Sequence, residues 1–237
     1  MIGYARVSEI CSYINRGALW ADWELGTRCW EYPWTIEHGD FKPGLKVLDA
    51  GCGQGPLLFA LAELGCEAHG VDLIEGEDAT SERGYGIPKD WLEKQGGRVH
   101  YHHGNLHSLP FPDEAFDRVT CISVLEHILS PQDPRAHNGV LLELKRVLRQ
   151  GGLLVITVDY FLNETIVPGY DYRDDIRLLE MRLKNPASSM LGRDEIAADE
   201  DTYVIPPKMY LNQGYGRGFN KTLYHRLTSI GYVLRKE

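Results

Sequence analysis

The sequence lacks the features that mark membrane-spanning, disulfide-bonded and nucleic-acid-binding proteins. No apolar run approaches the ~20 residues that a membrane-spanning helix needs, and Met1–Arg6 lacks the apolar centre of a signal peptide. The five cysteines form no CxxC pair and no spacing typical of a metal site. Lysine and arginine form no run, and the net charge of −9 disfavours binding to phosphates. We therefore predict a cytoplasmic protein with reduced thiols, no membrane segment and no nucleic-acid partner.

Length and patterning indicate one α/β domain with an added cap. A chain of 237 residues is long enough for both, and its 43% hydrophobic and 25% charged residues are ordinary for a globular protein. Short apolar strands alternate with helical segments along the middle of the chain. Strands are predicted over 45–50, 67–72, 98–103, 117–123 and 153–158, and helices over 56–65 and 139–149. This alternation predicts a doubly wound, mostly parallel sheet with right-handed crossovers.

The segments on either side of this pattern differ in character. Residues 1–40 are predicted to form an N-terminal helical cap rich in tryptophan, in which Pro33 ends a helix near Tyr32. Residues 41–237 form the main domain, with a lid or substrate-binding insertion at about 160–218 after the fifth strand. A final helix over 219–230 and a short strand over 232–235 are predicted to complete the chain.

A glycine-rich loop follows the first predicted strand. The segment Gly51-Cys52-Gly53-Gln54-Gly55 has glycine at every second position, and Asp72 ends the second strand. Glycines remove side chains that would block a ligand, and the acid could receive ribose hydroxyls. Pro56 replaces the third glycine of a dinucleotide-binding loop, which disfavours a nicotinamide-dependent oxidoreductase and favours a cofactor without phosphate. The alternatives are a tight turn without a ligand and, for Asp72, the N-cap of a following helix.

Several segments together resemble one enzyme family. Val47–Gly55 resembles motif I of the class I S-adenosylmethionine-dependent methyltransferases, and the stretches 105–119, 124–127 and 144–152 are similar to later family segments in the same order. The resemblance covers roughly residues 41–160 and is to the broad type 11-like group that acts on small molecules. It implies a Rossmann-like fold whose seventh, last strand is antiparallel. The chain departs from that pattern by ending soon after an apparent sixth strand. The last strand is either missing or lies within the insertion, with 202–205 as a candidate.

The resemblance also implies a cofactor, S-adenosyl-L-methionine, and residues that bind it. Asp72 would take both ribose hydroxyls, while Asp49 would support the loop from below. Asn105 stands where the family usually has an aspartate that contacts the adenine amino group; its alternative is a turn-forming role. The full set of implied cofactor-binding residues is Asp49, Gly51, Cys52, Gly53, Gln54, Gly55, Asp72, Leu73, Asn105, Leu106, Ser123, Trp34 and Arg28.

The N-terminal aromatic segment has two readings. Trp30, Tyr32 and Trp34 could line the methionine end of the cofactor, because aromatic faces attract a sulfonium cation. Alternatively they pack the cap helix onto the domain. Arg28 could pair with the cofactor carboxylate, or with Glu31 on the helix surface.

Histidine and aspartate supply the candidate catalytic groups. His127 follows the fourth strand and could act as a general base, with Asp159 next in order; the alternative for His127 is a structural role beside the cofactor. A magnesium site at Asp159 is disfavoured because no aspartate follows the fourth strand. Strand alternation places His100 and His102 on one face and His103 on the other. Without further ligands these histidines are expected to be packed or solvated, and we predict no metal site.

The sequence therefore predicts methyl transfer from S-adenosylmethionine to a small-molecule acceptor. Oxygen is the favoured acceptor atom, for example in a sugar or natural-product intermediate. The alternatives are N-methylation of a small molecule and a catalytically silent S-adenosylmethionine-binding protein. The oligomeric state stays open, with a homodimer among the options.

Overall fold

A seven-stranded sheet with helices on both faces forms the centre of the fold. The computed structural model describes residues 1–18, 27–53, 56–73, 97–125, 128, 136–161, 201 and 227–237. The strands, in chain order, are β1 (Ile2–Tyr4), β2 (Lys46–Ala50), β3 (Glu67–Asp72), β4 (Val99–His103), β5 (Phe116–Ile122), β6 (Leu148–Phe161) and β7 (Leu227–Arg235). The helices are α1 (Val7–Asn15), α2 (Arg28–His38), α3 (Pro56–Glu63) and α4 (Ala136–Val147).

The order of the strands is β1-β7-β6-β5-β2-β3-β4. Strands β2 to β6 all run parallel to the neighbours with which they pair within this group. Strand β7 runs antiparallel to β6, and β1 runs antiparallel to β7. The predicted doubly wound, mostly parallel sheet is therefore confirmed, and the strands predicted over 45–50, 67–72, 98–103 and 117–123 match β2 to β5 within about one residue.

Alternating side chains divide the core between the two faces of the sheet. On one face, Leu48 and Val71 pack with Leu141 and Leu144 of α4. On the other face, Val47 and Ala68 pack with α3. A third cluster joins α1 and α2 to β6 and β7 through Trp30, Trp34 and Val155, among others. The carboxyl ends of β2, β3 and β5 lie side by side at one edge of the sheet. This is the edge at which open α/β sheets bind their ligands.

Strand β1 and helix α2 differ from their predictions. Ile2–Tyr4 form a strand within the segment predicted to be helical; three residues give no periodicity to detect. Pro33 lies inside α2 and does not end it. A proline in a helix interior costs about 3 kcal/mol, and α2 tolerates it because Trp30, Pro33 and Trp34 are all buried by packing.

The last strands also differ from their predictions. Residues 227–230 belong to β7, so the helix predicted over 219–230 is wrong there, and its other residues lie outside the described part of the chain. The strand predicted over 232–235 lies within β7, which is nine residues long and is itself the strand that runs antiparallel to β6, whereas the sequence analysis took the antiparallel strand as missing or placed it in the insertion. Strand β6 begins at Leu148, where a helix to 149 was predicted. The pairing of β6 with β5 is irregular between Phe116 and Arg118, and Gly151 of β6 has a positive φ of 73°. The sequence at the start of β6 therefore resembles a turn.

Two paired glycines allow Trp34 of α2 to pack closely against the sheet. Gly3 of β1 lies opposite Gly231 of β7. A Cβ at Gly3 would stand 2.6 Å from Trp34 Nε1, and one at Gly231 would stand 2.4 Å from Trp34 Cζ3. Trp34 also stacks on Trp30 with ring centroids 5.1 Å apart. The glycines thus make the room that the indole of Trp34 occupies.

Two predicted features lie outside the described residues: the insertion at about 160–218 beyond Phe161, apart from residue 201, and the candidate strand over 202–205. Among the helices that the structure describes, none has the length and apolarity that crossing a bilayer requires.

Candidate cofactor site

Backbone hydrogen bonds fix the glycine loop to the end of β3. The N–H groups of Gly51 and Cys52 donate to the carbonyl oxygen of Val71, at 2.8 and 3.2 Å. The N–H of Gly53 donates to Asp72 Oδ2 at 2.9 Å. The loop and the acid that the sequence singled out are therefore in direct contact. Gln54 and Gly55 lie outside the described residues.

Gly51 is required by its conformation and by its surroundings. Its φ is +78°, a region that residues with a Cβ rarely adopt, and a Cβ there would stand 2.6 Å from Val124 Cγ2. Gly53 has a φ of +52°, but no heavy atom of the described residues lies within 4 Å of a Cβ built on it. Cys52 is buried and packs against Gly70 of β3. The loop thus presents backbone, and at Gly53 no described residue fills the place of a side chain.

Asp49 is a buried acid beneath this loop. It is 4% exposed, and Thr120 Oγ1 donates to its Oδ1 at 2.7 Å. Burial raises the pKa of Asp49 to about 7, the charge of Asp72 raises it further, and the Thr120 hydrogen bond and the charge of Arg28 oppose the shift. A carboxyl group that is half ionised near neutral pH therefore stands next to the candidate site.

A second buried acid, Glu31 of α2, was not singled out by the sequence. Ser123 Oγ and Ser229 Oγ donate to its Oε1 at 2.9 and 2.6 Å, and Thr27 Oγ1 donates to its Oε2 at 3.0 Å. Arg28 forms an ion pair with Oε2. Burial opposes ionisation of Glu31, but the charge of Arg28 and hydrogen bonds from Ser229, Thr157 and Arg28 outweigh it and hold its pKa below the usual value. Glu31 therefore carries a negative charge inside the protein.

This network joins α2 to three strands at the edge of the candidate site. Ser123 directly follows β5, and Ser229 lies in β7. The N–H of Ser123 donates to the carbonyl oxygen of Thr157 in β6 at 3.0 Å. Ser123 adopts a φ of +50°, which is uncommon for a residue with a side chain. The predicted cofactor contact of Ser123 remains a prediction, and the structure gives this residue a buried partner in Glu31.

Arg28 bridges the network and the surroundings of Asp49. Its side chain is 26% exposed, and its guanidinium carbon lies 5.8 Å from the centroid of the Tyr32 ring. Its charge acts on Asp49, on Glu31 and on Tyr32. The pairing with Glu31 offered as an alternative is present, but it is buried and not on the helix surface. The contact of Arg28 with a cofactor carboxylate stays a prediction.

Other predicted contact residues occupy varied positions. Trp34 is 1% exposed and packed against Gly3 and Gly231, so the packing alternative describes it and we drop it from the cofactor contacts. Leu73 is 62% exposed, directly after Asp72, whereas Leu106 is buried in the core. The side-chain oxygen of Asn105 accepts the N–H of His107 at 2.9 Å, which is the turn-forming role given as its alternative.

The two candidate catalytic groups are not described at the side-chain level. His127 lies outside the described residues, and Asp159 lies within β6 but has no described side chain. The position of β6 beside β5 places the backbone of Asp159 at the carboxyl end of the sheet. Both catalytic assignments therefore stay predictions.

Histidines gather on the outer strands, away from the glycine loop. His100 and His102 share a face of β4, as predicted, and His69 of β3 joins them: its ring stacks on His100 with centroids 4.6 Å apart and on His102 at 5.3 Å. His69 Nε2 lies 2.8 Å from Glu67 Oε1. Burial lowers the pKa of His69 to about 4 despite the hydrogen bond with Glu67. The sequence analysis missed His69 and Glu67, although their spacing of two on a strand predicts a shared face.

The arrangement at the carboxyl edge suits a nucleoside-bearing cation. A backbone loop without side chains adjoins a carboxylate, Asp72, that can accept hydroxyl donors. Asp49 supplies a second negative group, and Arg28 a positive one within its electrostatic reach. The described residues thus bring a bare backbone loop, two acids and an arginine together at one edge of the sheet.

Comparison with known proteins agrees with this chemistry. A family described as "Methyltransferase domain" matches residues 48–156. The ubiquinone biosynthesis O-methyltransferase of Dechloromonas aromatica is 33% identical over 210 residues, which cover 84% of this chain and 81% of the relative. The protein of the same name from Roseobacter denitrificans is 33% identical over 112 residues, covering 47% of this chain and 40% of the relative.

The likeness covers part of several relatives and extends to solved structures. The matches to three of the curated relatives span less than half of the relatives' own length, from 39% to 45%. Among solved structures, a putative sarcosine dimethylglycine methyltransferase from Galdieria sulphuraria has a TM-score of 0.54 at 15% identity, with 97% of this chain and 98% of that chain covered. At this identity the likeness shows the fold alone.

Proposed function

The chain belongs to the class I S-adenosylmethionine-dependent methyltransferases, and on that premise we propose that it transfers the cofactor's methyl group to an oxygen atom of a small molecule. The observation that carries the proposal is the hydrogen bond between Gly53 and Asp72, because it joins the bare loop to a carboxylate suited to ribose. The preference for oxygen rests on the relative from Dechloromonas aromatica, whose name states O-methylation.

Each residue of the site is proposed to bind a different part of the cofactor. Asp72 accepts the ribose hydroxyls through the carboxylate oxygens, and the absence of a side chain at Gly53 leaves room for the adenosyl group, while Gly51 makes room for Val124 beneath the loop. Asp49 stabilises positive charge, and Arg28 binds the carboxylate of the methionine moiety. Glu31 holds Arg28 in place from inside the protein. Bound S-adenosylmethionine supplies a methyl group already activated by the adjacent positive sulfur.

The protein then has to place the acceptor in line with that methyl group and exclude water. Orientation of this kind supplies about 7–11 kcal/mol of barrier reduction. An acceptor hydroxyl must also lose a proton, and His127 is proposed as the base that takes it, with Asp159 as the second candidate. The insertion at about 160–218 and the segment 1–40 are proposed to cover the acceptor.

Two alternatives share the same cofactor site. An amine acceptor needs less help from a base, so an N-methyltransferase would keep its rate when His127 is replaced. A silent S-adenosylmethionine-binding protein would bind the cofactor and give no methylated product. The partner we propose is a small molecule and not a nucleic acid; the homodimer and the cytoplasmic location also stay proposals.

Replacing Asp72 tests the cofactor site directly. We expect calorimetry to show S-adenosylhomocysteine binding to the wild-type protein and no binding of NAD. Asp72→Asn should weaken S-adenosylhomocysteine about 10- to 100-fold, since hydrogen bonds to a charged group contribute about 1.5–3 kcal/mol each. Asp113→Asn is the matched control, because Asp113 is 77% exposed and pairs with Arg146. Equal affinity in Asp72→Asn and Asp113→Asn would refute the assignment of Asp72.

The transfer reaction is tested with labelled cofactor and panels of hydroxyl- and amine-bearing small molecules. We expect label in hydroxyl-bearing acceptors, and a loss of that product in His127→Gln. Label in amines alone would replace the O-methylation proposal by N-methylation. Tight cofactor binding without any labelled product would favour the silent protein.

Cofactor binding should also depend on pH through Asp49. Since its pKa is raised to about 7, Asp49 is protonated and neutral at pH 6 and ionised at pH 8. The sulfonium of S-adenosylmethionine keeps its charge over this range, so affinity should rise with pH. A cation that lowers the pKa of Asp49 by about one unit would bind about 5-fold more tightly at pH 8 than at pH 6.

Calorimetric titrations of S-adenosylmethionine at several pH values check this dependence. Asp49→Asn should bind with affinity that no longer rises over the same range, because the amide has no proton to lose. A rise of equal size in wild type and Asp49→Asn would assign the effect to another group.

A further inference from the structure

A cluster of imidazoles and one carboxylate lies on the outer strands β3 and β4. His69 stands opposite His100 in the parallel register, and Glu67 and His102 share the same face. One donor atom from each of Glu67, His69 and His100 lies within 4.8 Å of the others. His69 is 7% exposed, whereas Glu67 and His100 are partly exposed, so the cluster opens to solvent on one side.

We propose that Glu67, His69 and His100 bind a divalent transition-metal ion of the zinc type. Zinc binds histidine nitrogen at about 2.0–2.1 Å and carboxylate oxygen at about 2.0–2.2 Å, so three donors within 4.8 Å converge on one ion after small side-chain rotations. Two imidazoles and a carboxylate form a ligand set suited to Zn²⁺, Co²⁺ or Ni²⁺. Water completes the coordination on the solvent side.

The fourth member of the cluster, His102, supports the proposed ligand His69. Metal-binding histidines donate their second ring N–H to a nearby acceptor, which fixes the ring and its tautomer. His69 Nδ1 lies 3.0 Å from His102 Nε2. With the ion on Nε2 of His69, the ring carries its proton on Nδ1 and donates it to His102. The sequence predicted no metal here because His100 and His102 had no further ligands, and Glu67 and His69 supply them.

Some neighbouring residues favour binding of the ion and one opposes it. Phe111 and Phe116 contact the histidine rings edge-on and shield them from water on the inner side. Lys46 opposes binding, because its Nζ lies 3.5 Å from Glu67 Oε1. Its side chain is 41% exposed and can turn into solvent when an ion binds. The alternative is a metal-free chain of hydrogen bonds from Glu67 through His69 to His102.

This site is separate from the cofactor site. Glu67 begins β3 and Asp72 ends it, so at about 3.3 Å per residue the two lie about 16 Å apart. The ion would therefore not act in methyl transfer. It would tie β4, which ends the sheet, to its neighbour β3. The proposal does not depend on the proposed function.

The test uses the full chain without an affinity tag, treated with a chelator and then freed of it. Titration with ZnCl₂ in a calorimeter should give saturable binding of one ion per chain. CoCl₂ should give the visible absorption of a four-coordinate ion. Glu67→Gln and His100→Gln should each weaken Zn²⁺ at least about 10-fold, and Lys46→Gln should strengthen it. Zn²⁺ should raise the thermal midpoint of the wild type but not of Glu67→Gln.

His103→Gln is the matched control. His103 lies on the same strand but on the opposite face, where its Nε2 contacts the carbonyl oxygen of Leu73 at 2.8 Å. It should bind Zn²⁺ as the wild type does. Absence of saturable binding would overturn the proposal, as would equal affinity in wild type and Glu67→Gln. Because Glu67 is 49% exposed at its side chain, this variant should fold even where His100→Gln does not.

Discussion

Replacing Glu31 by alanine is expected to lower the free energy of unfolding by about 3–5 kcal/mol, the range found when one partner of a buried ion pair is removed. The side chain of Glu31 is fully buried and ionised, and it accepts hydrogen bonds from Thr27, Ser123 and Ser229 as well as pairing with Arg28. Without it, the Arg28 charge and the three hydroxyl groups lose a shared acceptor inside the protein. Urea unfolding at neutral pH measures the loss.

A second acid on the same helix provides the comparison. Glu37 pairs with Arg16, but their side chains are 41% and 51% exposed, so Glu37→Ala should cost less than about 1 kcal/mol. The double variant Arg28→Met, Glu31→Leu should recover part of the stability that Glu31→Ala loses, since apolar pairs often replace buried ion pairs without loss. Equal unfolding free energies for Glu31→Ala and Glu37→Ala would contradict the structural role assigned to the network.

Gly51→Ala is expected to destabilise the protein by about 2–5 kcal/mol and to abolish measurable cofactor binding. A left-handed backbone costs a residue with a Cβ about 1–2 kcal/mol, and overpacking adds about 1–3 kcal/mol. Both apply to Gly51, whose φ is +78° and whose Cβ would stand 2.6 Å from Val124 Cγ2. Thermal unfolding and calorimetry with S-adenosylhomocysteine measure the two effects.

Gly53→Ala separates backbone strain from ligand contact. Its φ of +52° brings a strain cost of about 1–2 kcal/mol. No heavy atom of the described residues lies within 4 Å of the added methyl group. Stability should therefore fall less than in Gly51→Ala. Cofactor affinity should still drop at least 10-fold, about 1.4 kcal/mol, if the space above Gly53 holds the adenosyl group. Unchanged affinity in Gly53→Ala would place the cofactor elsewhere.

The central sheet could be predicted from the sequence because its strands are short, apolar and bounded by turn residues. Strands β2 and β3 were predicted nearly to the residue, since Pro43-Gly44 and the glycine loop bound β2, and Gly65 precedes β3. Propensity failed where long-range packing decides the structure. Pro33 continues a helix because its neighbours are buried, and residues 227–230 extend along β6 although their pattern alone suggested a helix.

The candidate site was predictable in part for a similar reason. The glycine loop and Asp72 are close in sequence and carry a recognisable pattern, and their contact is now observed. Glu31 meets Ser123 and Ser229 across 92 and 198 residues of sequence, a separation that no local pattern indicates. The sequence did contain one indication of this role. Glu31 lies three residues after Arg28 on a helix rich in tryptophan, and a glutamate is almost never fully buried unless it is paired. His69 was overlooked because it meets His100 only through the pairing of β3 with β4, a register that the sequence does not reveal.

The position of β1 sets an order of events for a growing chain. Gly3 pairs with Gly231, so β1 leaves the ribosome long before β7, the strand with which it pairs among the described residues. At about 5–20 residues per second, synthesis of the intervening chain takes on the order of 10–50 s. During that interval Trp34 lacks its packing contact with Gly231 of β7. The parallel strands β2 to β6 can assemble on the emerging chain, while closure of this edge must follow the synthesis of β7.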